Sequence, residues 1–400
     1  MLKDLADLDP TETYPVVIIG AGAAGLTIAS RLDKAGVRLL LAESGGFESE
    51  SRVQDLYKGE NVGLPYNLTS SRLRYFGGTT NHWNGQSDAL SEQTLARRDW
   101  VPFSGWPISH RELAAYLPEA FEICNLGPYG QEDAICNAFE RPFPPATETI
   151  DARIFKNSSP IARFAEIFRD QIVDSENVDL VLSANAVELI TDSDGTRVSH
   201  MHFKSLDGKS TRQPARFVVV ACGGIENPRL LLASNSARPR GLGNERDLGG
   251  RFFMDHPAYR PFEMALAEGT DISSTGWTDL KTLNTMAMTL LACTPTAQAR
   301  EEILQFGWLP FNRSRQPEAG LLNAPAGRAV FEGTWAGAQV HDRAIDGIVV
   351  TEQAPNPDSR ITLTGDHDAL GMPRLALDWR LSELERHTLR RGTDLVAREL

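Results

Sequence analysis

The sequence contains little cysteine, and its cysteines do not form a structural or metal-binding pattern. Only four occur in 400 residues, and no two have the Cys-x-x-Cys spacing of a zinc or redox site. They are Cys124, Cys136, Cys222 and Cys293. A disulfide framework and a metal centre therefore have little support, and we expect a reducing, cytoplasmic compartment.

The chain also lacks an excess of positive charge and a long apolar run. Its formal net charge of −13 disfavours binding to nucleic acid or to an anionic membrane. No apolar run is long enough for a transmembrane segment, and the acidic residues 1–13 do not resemble a secretory signal. With 41% hydrophobic residues the chain can bury a large core, and its length predicts two domains.

The most informative stretch lies near the N-terminus. The β-branched run Val16 to Ile19 predicts a strand that is buried on both faces. Gly20, Gly22 and Gly25 follow it as a G-x-G-x-x-G motif. In this motif the first glycine permits a tight turn, the second lets backbone approach a pyrophosphate, and the third lets helix and strand pack closely.

A helix and a second strand complete this unit. Apolar residues at helical spacing lead to Gly36, which is placed to end the helix, and the strand Val37 to Ala42 delivers Glu43 to its carboxyl end. A carboxylate there can accept the ribose hydroxyls of an adenine dinucleotide, while the helix N-terminus faces the diphosphate. The unit therefore predicts a dinucleotide site without separating FAD from NAD; the alternative is a glycine-rich turn that binds nothing.

A second glycine segment, Arg74 to Gly85, is not typical of a protein core. Gly77 and Gly78 would let backbone N–H groups approach an anion or a planar ring. The side chains that follow can donate to phosphate or to ring heteroatoms, and they are Thr79, Thr80 and Asn81.

These motifs resemble those of the glucose-methanol-choline (GMC) oxidoreductases, which are FAD-dependent alcohol oxidases and dehydrogenases. The Gly20 motif with Glu43 and the segment Gly77 to Asn81 are similar to the first two cofactor motifs of that family. The run G-G-x-x-x-H-W, which ends in His82 and Trp83, resembles more narrowly the sugar-oxidising branch around pyranose oxidase and the FAD-dependent sugar dehydrogenases. This resemblance implies that His82 either anchors the flavin covalently or contacts its isoalloxazine ring; a hydrogen-bonded histidine further from the ring is the alternative.

Two later segments extend the resemblance. Residues 217–234 read as a buried strand, a small-residue turn and a helix, an arrangement that is typical of the family and implies backbone passing under the dinucleotide at Cys222 and Gly223. We interpret Cys222 as a small buried filler rather than a nucleophile. The resemblance also implies that main-chain atoms of Val187 contact the adenine, and a plain strand residue is the alternative there.

The elements predict a fold that is α/β plus α+β. We expect a Rossmann-like FAD-binding domain in residues 1–97 and 151–255, with a discontinuous antiparallel-sheet substrate domain in residues 256–400. Residues 98–150, rich in aromatic residues and proline, would form an insertion near the substrate entrance. The strands predicted for the substrate domain are Tyr259 to Ala267, Ala329 to Gly333, Gly347 to Glu352, Arg360 to Thr364 and Arg374 to Trp379.

The resemblance implies an oxidoreductase that transfers a hydride from an alcohol, either a sugar or another secondary alcohol, to flavin N5. Dioxygen or a quinone-type acceptor would reoxidise the flavin. In this pattern the catalytic His and its partner His or Asn lie beyond Leu400, so we expect a truncated enzyme whose catalytic base is absent from this chain.

Two other functions stay open at the level of sequence. A non-catalytic flavin-binding protein would also lack the catalytic histidine. A pyridine-nucleotide-dependent flavin reductase is disfavoured because the chain has neither a redox cysteine pair nor a second G-x-G-x-x-G motif.

Overall fold

The computed structural model describes residues 1–130, 134–135, 146–259, 264–265, 276–280, 285–312 and 344–399. The predicted strand Ala329 to Gly333, residue Cys136 and part of the predicted 98–150 insertion lie outside these residues. Within the described residues, no helix combines the length and the apolar character that crossing a membrane requires.

The described residues form helices and strands that we number in chain order. The helices are α1 (Ala23–Lys34), α2 (Ser51–Gln54), α3 (Glu92–Leu95), α4 (His110–Ala114), α5 (Leu117–Ile123), α6 (Phe164–Asp174), α7 (Gly223–Ala233), α8 (Pro295–Glu301) and α9 (Glu383–Glu399). The strands are β1 (Leu2–Lys3), β2 (Tyr14–Ile19), β3 (Leu39–Ala42), β4 (Glu60–Asn61), β5 (Gln86–Ser87), β6 (Ile150–Asn157), β7 (Val178–Val181), β8 (Asn185–Thr191), β9 (Val198–Lys204), β10 (Ser210–Val220), β11 (Ala258–Tyr259), β12 (Met264–Ala265), β13 (Gly276–Leu280), β14 (Thr285–Cys293), β15 (Phe306–Asn312), β16 (Ala344–Thr351), β17 (Arg360–His367) and β18 (Pro373–Asp378).

The chain divides into two compact units. The first comprises Met1–Trp83, Arg163–Phe253 and Pro357–Trp379, and the second comprises Asn84–Ala162, Met254–Asn356 and Arg380–Leu400. Residues 84–97 and 151–162, which we expected in the FAD-binding domain, therefore belong to the second unit. Residues 357–379, which we expected in the substrate domain, belong to the first.

A seven-stranded sheet of order β1-β7-β3-β2-β10-β9-β8 organises the first unit. Strand β2 pairs in parallel with β3 and with β10. Val17 in β2 and Leu40 in β3 are fully buried. The long β10 pairs antiparallel with β9 through Ser210–Pro214 and parallel with β2 from Ala215 onward. Since β2, β3 and the end of β10 run in the same direction, their carboxyl ends meet at one edge of the sheet.

A second, three-stranded sheet of order β17-β18-β4 also belongs to the first unit. It contains both strands that we predicted at Arg360 to Thr364 and Arg374 to Trp379, and β18 pairs in parallel with β4. The prediction that these strands extend the antiparallel sheet of the substrate domain is therefore wrong. Alternation of apolar and polar residues specifies which face of a strand is buried, but it does not specify the partner strand.

The second unit is built on an antiparallel sheet of order β11-β16-β15-β14-β6-β5, to which β12 and β13 add at β16 and β14. Strand β6 pairs with β14 along its whole length, from Ile150 opposite Cys293 to Asn157 opposite Met286. This pairing is the reason that residues 151–162 lie in the second unit. Helix α9 contributes Leu395 to the core of this sheet, against Trp308.

A short helix, α4, begins after Ser109. Ser109 and Glu112 form a capping box, since each side chain bonds the backbone of the other residue. The helix ends at Ala114, and α5 begins at Leu117. Pro118 explains the break, because a proline lacks the N–H that would continue the helix and its ring clashes with the carbonyl four residues earlier.

Candidate functional site

The glycine turn after β2 accepts only glycine at two of its three motif positions. Gly20 has φ +101°, and a Cβ atom there would lie 2.6 Å from the carbonyl oxygen of Ala221. A Cβ at Gly25 would lie 1.9 Å from the carbonyl oxygen of Gly20. At Gly22, by contrast, a Cβ would meet nothing within 4 Å, so this backbone is open to an approaching group.

Glu43 follows β3 and is 6% exposed. Its Oε2 accepts the N–H of Ala21 at 2.8 Å, and its Oε1 accepts the N–H of Gly45 at 3.0 Å. The carboxylate therefore holds the glycine turn to the end of the neighbouring strand. Each carboxylate oxygen can accept a further bond, so these contacts leave acceptor capacity for a ribose hydroxyl.

The second glycine segment lies against the first. The N–H of Gly77 donates to the carbonyl oxygen of Ala21 at 2.8 Å, and a Cβ at Gly78 would lie 3.0 Å from the Cα of Gly22. Both glycines have positive φ angles, +95° and +56°. The structure thus brings together two motifs that are far apart in the sequence, and it does so through backbone atoms.

The polar side chains after these glycines divide into two groups. The hydroxyl of Thr80 donates to the carbonyl oxygen of Gly77 at 2.7 Å, and the Asn81 amide donates to that of Phe76 at 2.9 Å. These two side chains therefore hold the turn, whereas we expected all three donors to serve a ligand. Thr79 and His82 are exposed.

The surroundings of His82 shift the pKa of its imidazole. Desolvation by its surroundings lowers the pKa of His82, a hydrogen bond to the backbone of Ser71 opposes this, and the charge of Arg163 lowers the pKa further. The net result is a pKa below the usual value, which favours the neutral imidazole. Beside it, the ring of Trp83 packs edge-on against Phe164, with the ring centroids 6.0 Å apart.

A third turn, after β10, contacts the same strand end. The N–H of Ala221 donates to the carbonyl oxygen of Ile19 at 2.8 Å, and Cys222 Sγ lies 3.3 Å from that oxygen. Burial raises the pKa of the Cys222 thiol to about 12, so the thiol stays protonated, as its interpretation as a filler requires. At Gly223 and Gly224 a Cβ would meet nothing within 4 Å, which leaves this backbone open as at Gly22.

Val187 lies in an irregular part of β8. The register steps from Ala186 opposite Phe203 to Glu188 opposite His202, so it passes over Val187. A residue skipped in this way forms a β-bulge and leaves its main-chain groups out of the ladder. This geometry suits a residue that is predicted to use its main chain for binding.

A buried ionic cluster that we did not predict lies in the same unit. Glu226 in the first turn of α7 bonds Arg72 at 2.9 Å, Arg74 at 3.2 Å and Arg229 at 3.2 Å, and Arg229 also bonds Asp368 at 2.8 Å. Burial alone would raise the pKa of Glu226, yet the three guanidinium groups lower it to about 2. An Arg-x-Arg pattern before two glycines was visible in the sequence, but nothing in it indicated the partner.

The site contains no evident metal centre. Among the residues that the structure describes, no group of three or more His, Cys, Asp or Glu side chains could hold a metal ion.

Comparison with known proteins shows one sequence relative and several similar folds. No protein-family model matches the chain. It is 24% identical to the fructose dehydrogenase large subunit of Gluconobacter japonicus over 461 aligned positions, which cover 94% of this chain and 81% of that protein.

The similar folds include oxidases. A formate oxidase matches with a TM-score of 0.56 and 14% identity, over 98% of this chain and 82% of that one. A formate oxidase of Aspergillus oryzae, studied for its FAD modification, matches with a TM-score of 0.55 and 13% identity, over 98% and 82%. Pyridoxine 4-oxidase from Mesorbium loti matches with a TM-score of 0.50 and 14% identity, over 96% and 80%. At these identities the likeness shows a shared fold.

Proposed function

We propose that this chain, which resembles the GMC oxidoreductases in sequence and in fold, is an FAD-dependent oxidoreductase that oxidises an alcohol. The resemblance predicted from the sequence is confirmed by the fructose dehydrogenase relative and by the fold shared with formate oxidase and pyridoxine 4-oxidase. One observation carries the proposal for this chain: Gly78 lies against Gly22, so that two predicted cofactor motifs form one backbone surface.

The residues present fit an FAD. Within the glycine turns at this strand end, a Cβ would extend into open space at Gly22, Gly223 and Gly224. Glu43 retains acceptor capacity at the end of β3, and the buried Nε of Arg74 has no hydrogen-bond partner among the residues that the structure describes. An open backbone cradle, a buried carboxylate and an orphaned cationic donor together suit a group that carries a diphosphate and a ribose.

Each predicted residue has a proposed role toward the cofactor. Gly22, Gly78 and Thr79 would hold the diphosphate, and Glu43 would bind the ribose. Main-chain atoms of Val187 would contact the adenine. The backbone at Cys222 and Gly223 would pass beneath the dinucleotide, and Asn81 and His82 would lie at the flavin ring; Gly20, Gly25 and Gly77 shape the turns that present these groups.

When bound, FAD would supply a flavin ring that accepts a hydride from the alcohol carbon. The chain contributes an imidazole at His82 that is kept neutral and is therefore able to accept a hydrogen bond. Within the first unit, we propose that the seven-stranded sheet and its helices form a Rossmann-like FAD-binding domain, and that the second unit binds substrate.

The proposed substrate is a sugar or another secondary alcohol, because the curated relative is a fructose dehydrogenase. Dioxygen or a quinone-type compound would then accept the electrons. The cytoplasmic compartment inferred from the sparse cysteines stays a prediction.

An absorption spectrum followed by anaerobic reduction tests the function. We expect a flavin spectrum in the purified protein, and bleaching when fructose or another sugar is added without oxygen. An oxidised spectrum that persists across a panel of sugars and secondary alcohols would support a non-catalytic flavin-binding protein instead. Bleaching by NADH alone would support a pyridine-nucleotide-dependent reductase.

Acid precipitation tests the role of His82. Flavin absorbance that stays with the precipitated protein in the unaltered chain, but moves to the supernatant in His82→Asn, would support a covalent bond between His82 and the flavin. Flavin released into the supernatant from both proteins would support a contact between His82 and the flavin without a covalent bond.

A further inference from the structure

Arg163 holds both ends of the short segment that carries His82. It immediately precedes α6, and its Nη1 donates to the carbonyl oxygen of Thr80 at 2.8 Å and to that of Trp83 at 2.9 Å. These two carbonyls flank Asn81 and His82 in the chain. A single guanidinium nitrogen therefore fixes the backbone on either side of the imidazole.

The next residue strengthens this connection. The N–H of Phe164 donates to the hydroxyl of Thr80 at 3.2 Å, and the Phe164 ring packs edge-on against Trp83. Thr80 is 5% exposed, so the contact excludes water. The first turn of α6 is thus docked directly on the segment from Thr80 to Trp83.

The same arginine acts on the imidazole through its charge. Among the described residues, Arg163 is the charged group that influences the pKa of His82, and it lowers that pKa. The imidazole also bonds the backbone of Ser71, a contact that engages one ring nitrogen. A neutral ring with one nitrogen engaged as a donor keeps a lone pair on the other nitrogen, whereas an imidazolium has none.

We propose that Arg163 is a positioning residue for His82: its guanidinium fixes the backbone on either side of the imidazole, and its positive charge acts on the ring. Arg163 belongs to none of the cofactor motifs in the sequence. The relevance of His82 to the flavin rests on the proposed function, but the action of Arg163 on His82 is a property of the chain alone.

Three variants separate the two parts of this role. Arg163→Gln removes the charge, and Arg163→Lys keeps the charge but replaces the planar donor with a flexible ammonium that holds one carbonyl less firmly. Arg169→Gln is the matched control, because Arg169 lies on the same helix and its guanidinium instead sits 4.0 Å from the ring centroid of Phe47.

Two measurements on the full chain without added FAD give the test. The pKa of His82 is followed by NMR titration of the histidine ring signals, and His82→Asn assigns the signal. Hydrogen exchange is followed at the amide of Trp83, which donates to the carbonyl oxygen of Thr79 at 3.2 Å. Circular dichroism verifies that each variant is folded.

We expect Arg163→Gln to raise the pKa of His82, and Arg163→Lys to leave that pKa low. Both should speed exchange at Trp83 about tenfold or more, the effect of losing one hydrogen bond to a charged group. A His82 pKa and a Trp83 exchange rate in Arg163→Gln that match those of Arg169→Gln would overturn the proposal. If Arg163→Gln does not fold, unchanged Trp83 exchange in Arg163→Lys overturns the positioning role.

The flavin-loaded protein provides an independent measurement. If His82 faces the flavin ring, the pH at which the bound flavin spectrum changes should move upward in Arg163→Gln and not in Arg169→Gln. An unmoved midpoint in a variant that binds flavin would overturn the proposal if the His82 pKa without FAD were also unchanged; with a raised His82 pKa, it would instead place His82 away from the flavin ring. Failure of the unaltered protein to bind any flavin would instead refute the proposed function, and it would leave the titration without FAD as the deciding measurement for Arg163.

Discussion

Gly78 lies against Gly22, at a distance of 3.0 Å between the Cα of Gly22 and the position that a Cβ of Gly78 would occupy. The hydrogen bond from the Gly77 N–H to the Ala21 carbonyl oxygen joins the same two segments. The two glycine motifs are therefore a single structural feature, because neither turn can be widened without displacing the other.

Gly78→Ala is expected to weaken FAD binding and to reduce stability. The new methyl group would press on Gly22, and the φ angle of +56° is unfavourable for any side chain, at a cost of about 1–2 kcal/mol. Gly208→Ala is the matched control, since Gly208 also has a positive φ angle but a Cβ there would meet nothing within 4 Å. Urea unfolding and titration with FAD would measure both effects. Equal FAD affinity in the two variants would contradict a contact role for Gly78.

Gly22→Ala and Gly25→Ala should affect different properties: the first should weaken FAD binding, and the second should lower the stability of the protein. Gly22 has extended backbone, with φ −88° and ψ −165°, and its Cβ would meet nothing, so we expect near-normal stability. FAD binding should nevertheless fall at least about tenfold if the diphosphate passes over this backbone.

Gly25→Ala should instead destabilise the protein itself, because its Cβ would lie 1.9 Å from a carbonyl oxygen. Such overpacking costs about 1–3 kcal/mol or more. Thermal unfolding in the absence of FAD distinguishes the two variants. A Gly22→Ala protein with unchanged FAD affinity would place the diphosphate elsewhere.

The elements that were predicted well are those specified by neighbouring residues. Strand β2, helix α1 and strand β3 follow the sequence pattern closely, and Glu43 lies where the motif requires it. Strand, tight turn and helix are local structures, so the residue types at successive positions determine them. The antiparallel strands β8 and β9, with the turn between them, were predictable for the same reason.

The features that were missed depend on contacts between distant residues. Arg163 was unremarkable in the sequence, and only the docking of α6 gives it the carbonyls of Thr80 and Trp83 as partners. Strand β17 was predicted correctly as a strand but was assigned to the wrong sheet. Patterns of neighbouring residues contain no information on such distant partners. For the same reason, the sequence did not indicate that the arginines pair with Glu226.

Glu43→Ala should reduce both FAD affinity and the stability of the chain without FAD. The carboxylate makes charge-assisted hydrogen bonds to the backbone at Ala21 and Gly45, and it is also the proposed ribose acceptor. The backbone hydrogen bonds should contribute about 1.5–3 kcal/mol to the free energy of unfolding, and the ribose contact should contribute about as much to the free energy of FAD binding. Glu50→Ala serves as the control, because Glu50 is a partly exposed residue of the same region and is paired with Arg52. FAD titration and urea unfolding report the two losses, and an unchanged FAD dissociation constant would exclude Glu43 from the ribose site.

Acid should destabilise the protein through Glu226. The pKa of this carboxyl is about 2 in the folded protein and near 4.5 in an exposed one, so its ionised form is favoured by folding. The stabilisation is complete above pH 4.5, and it is lost as the pH falls from 4.5 toward 2. Glu226→Gln would remove this pH dependence and leave Arg72, Arg74 and Arg229 without their shared carboxylate. We expect a loss of about 3–5 kcal/mol at neutral pH.

Asp247 offers the matched control for that variant. Its pKa is also lowered to about 2, by hydrogen bonds to Arg360 and Arg251, but its side chain is half exposed. Solvent screens such a pair, so Asp247→Asn should have a much smaller effect on stability at neutral pH. Urea unfolding between pH 3 and pH 7 compares the two variants with the unaltered protein. Equal losses in both would mean that burial of the cluster around Glu226 does not strengthen its interactions.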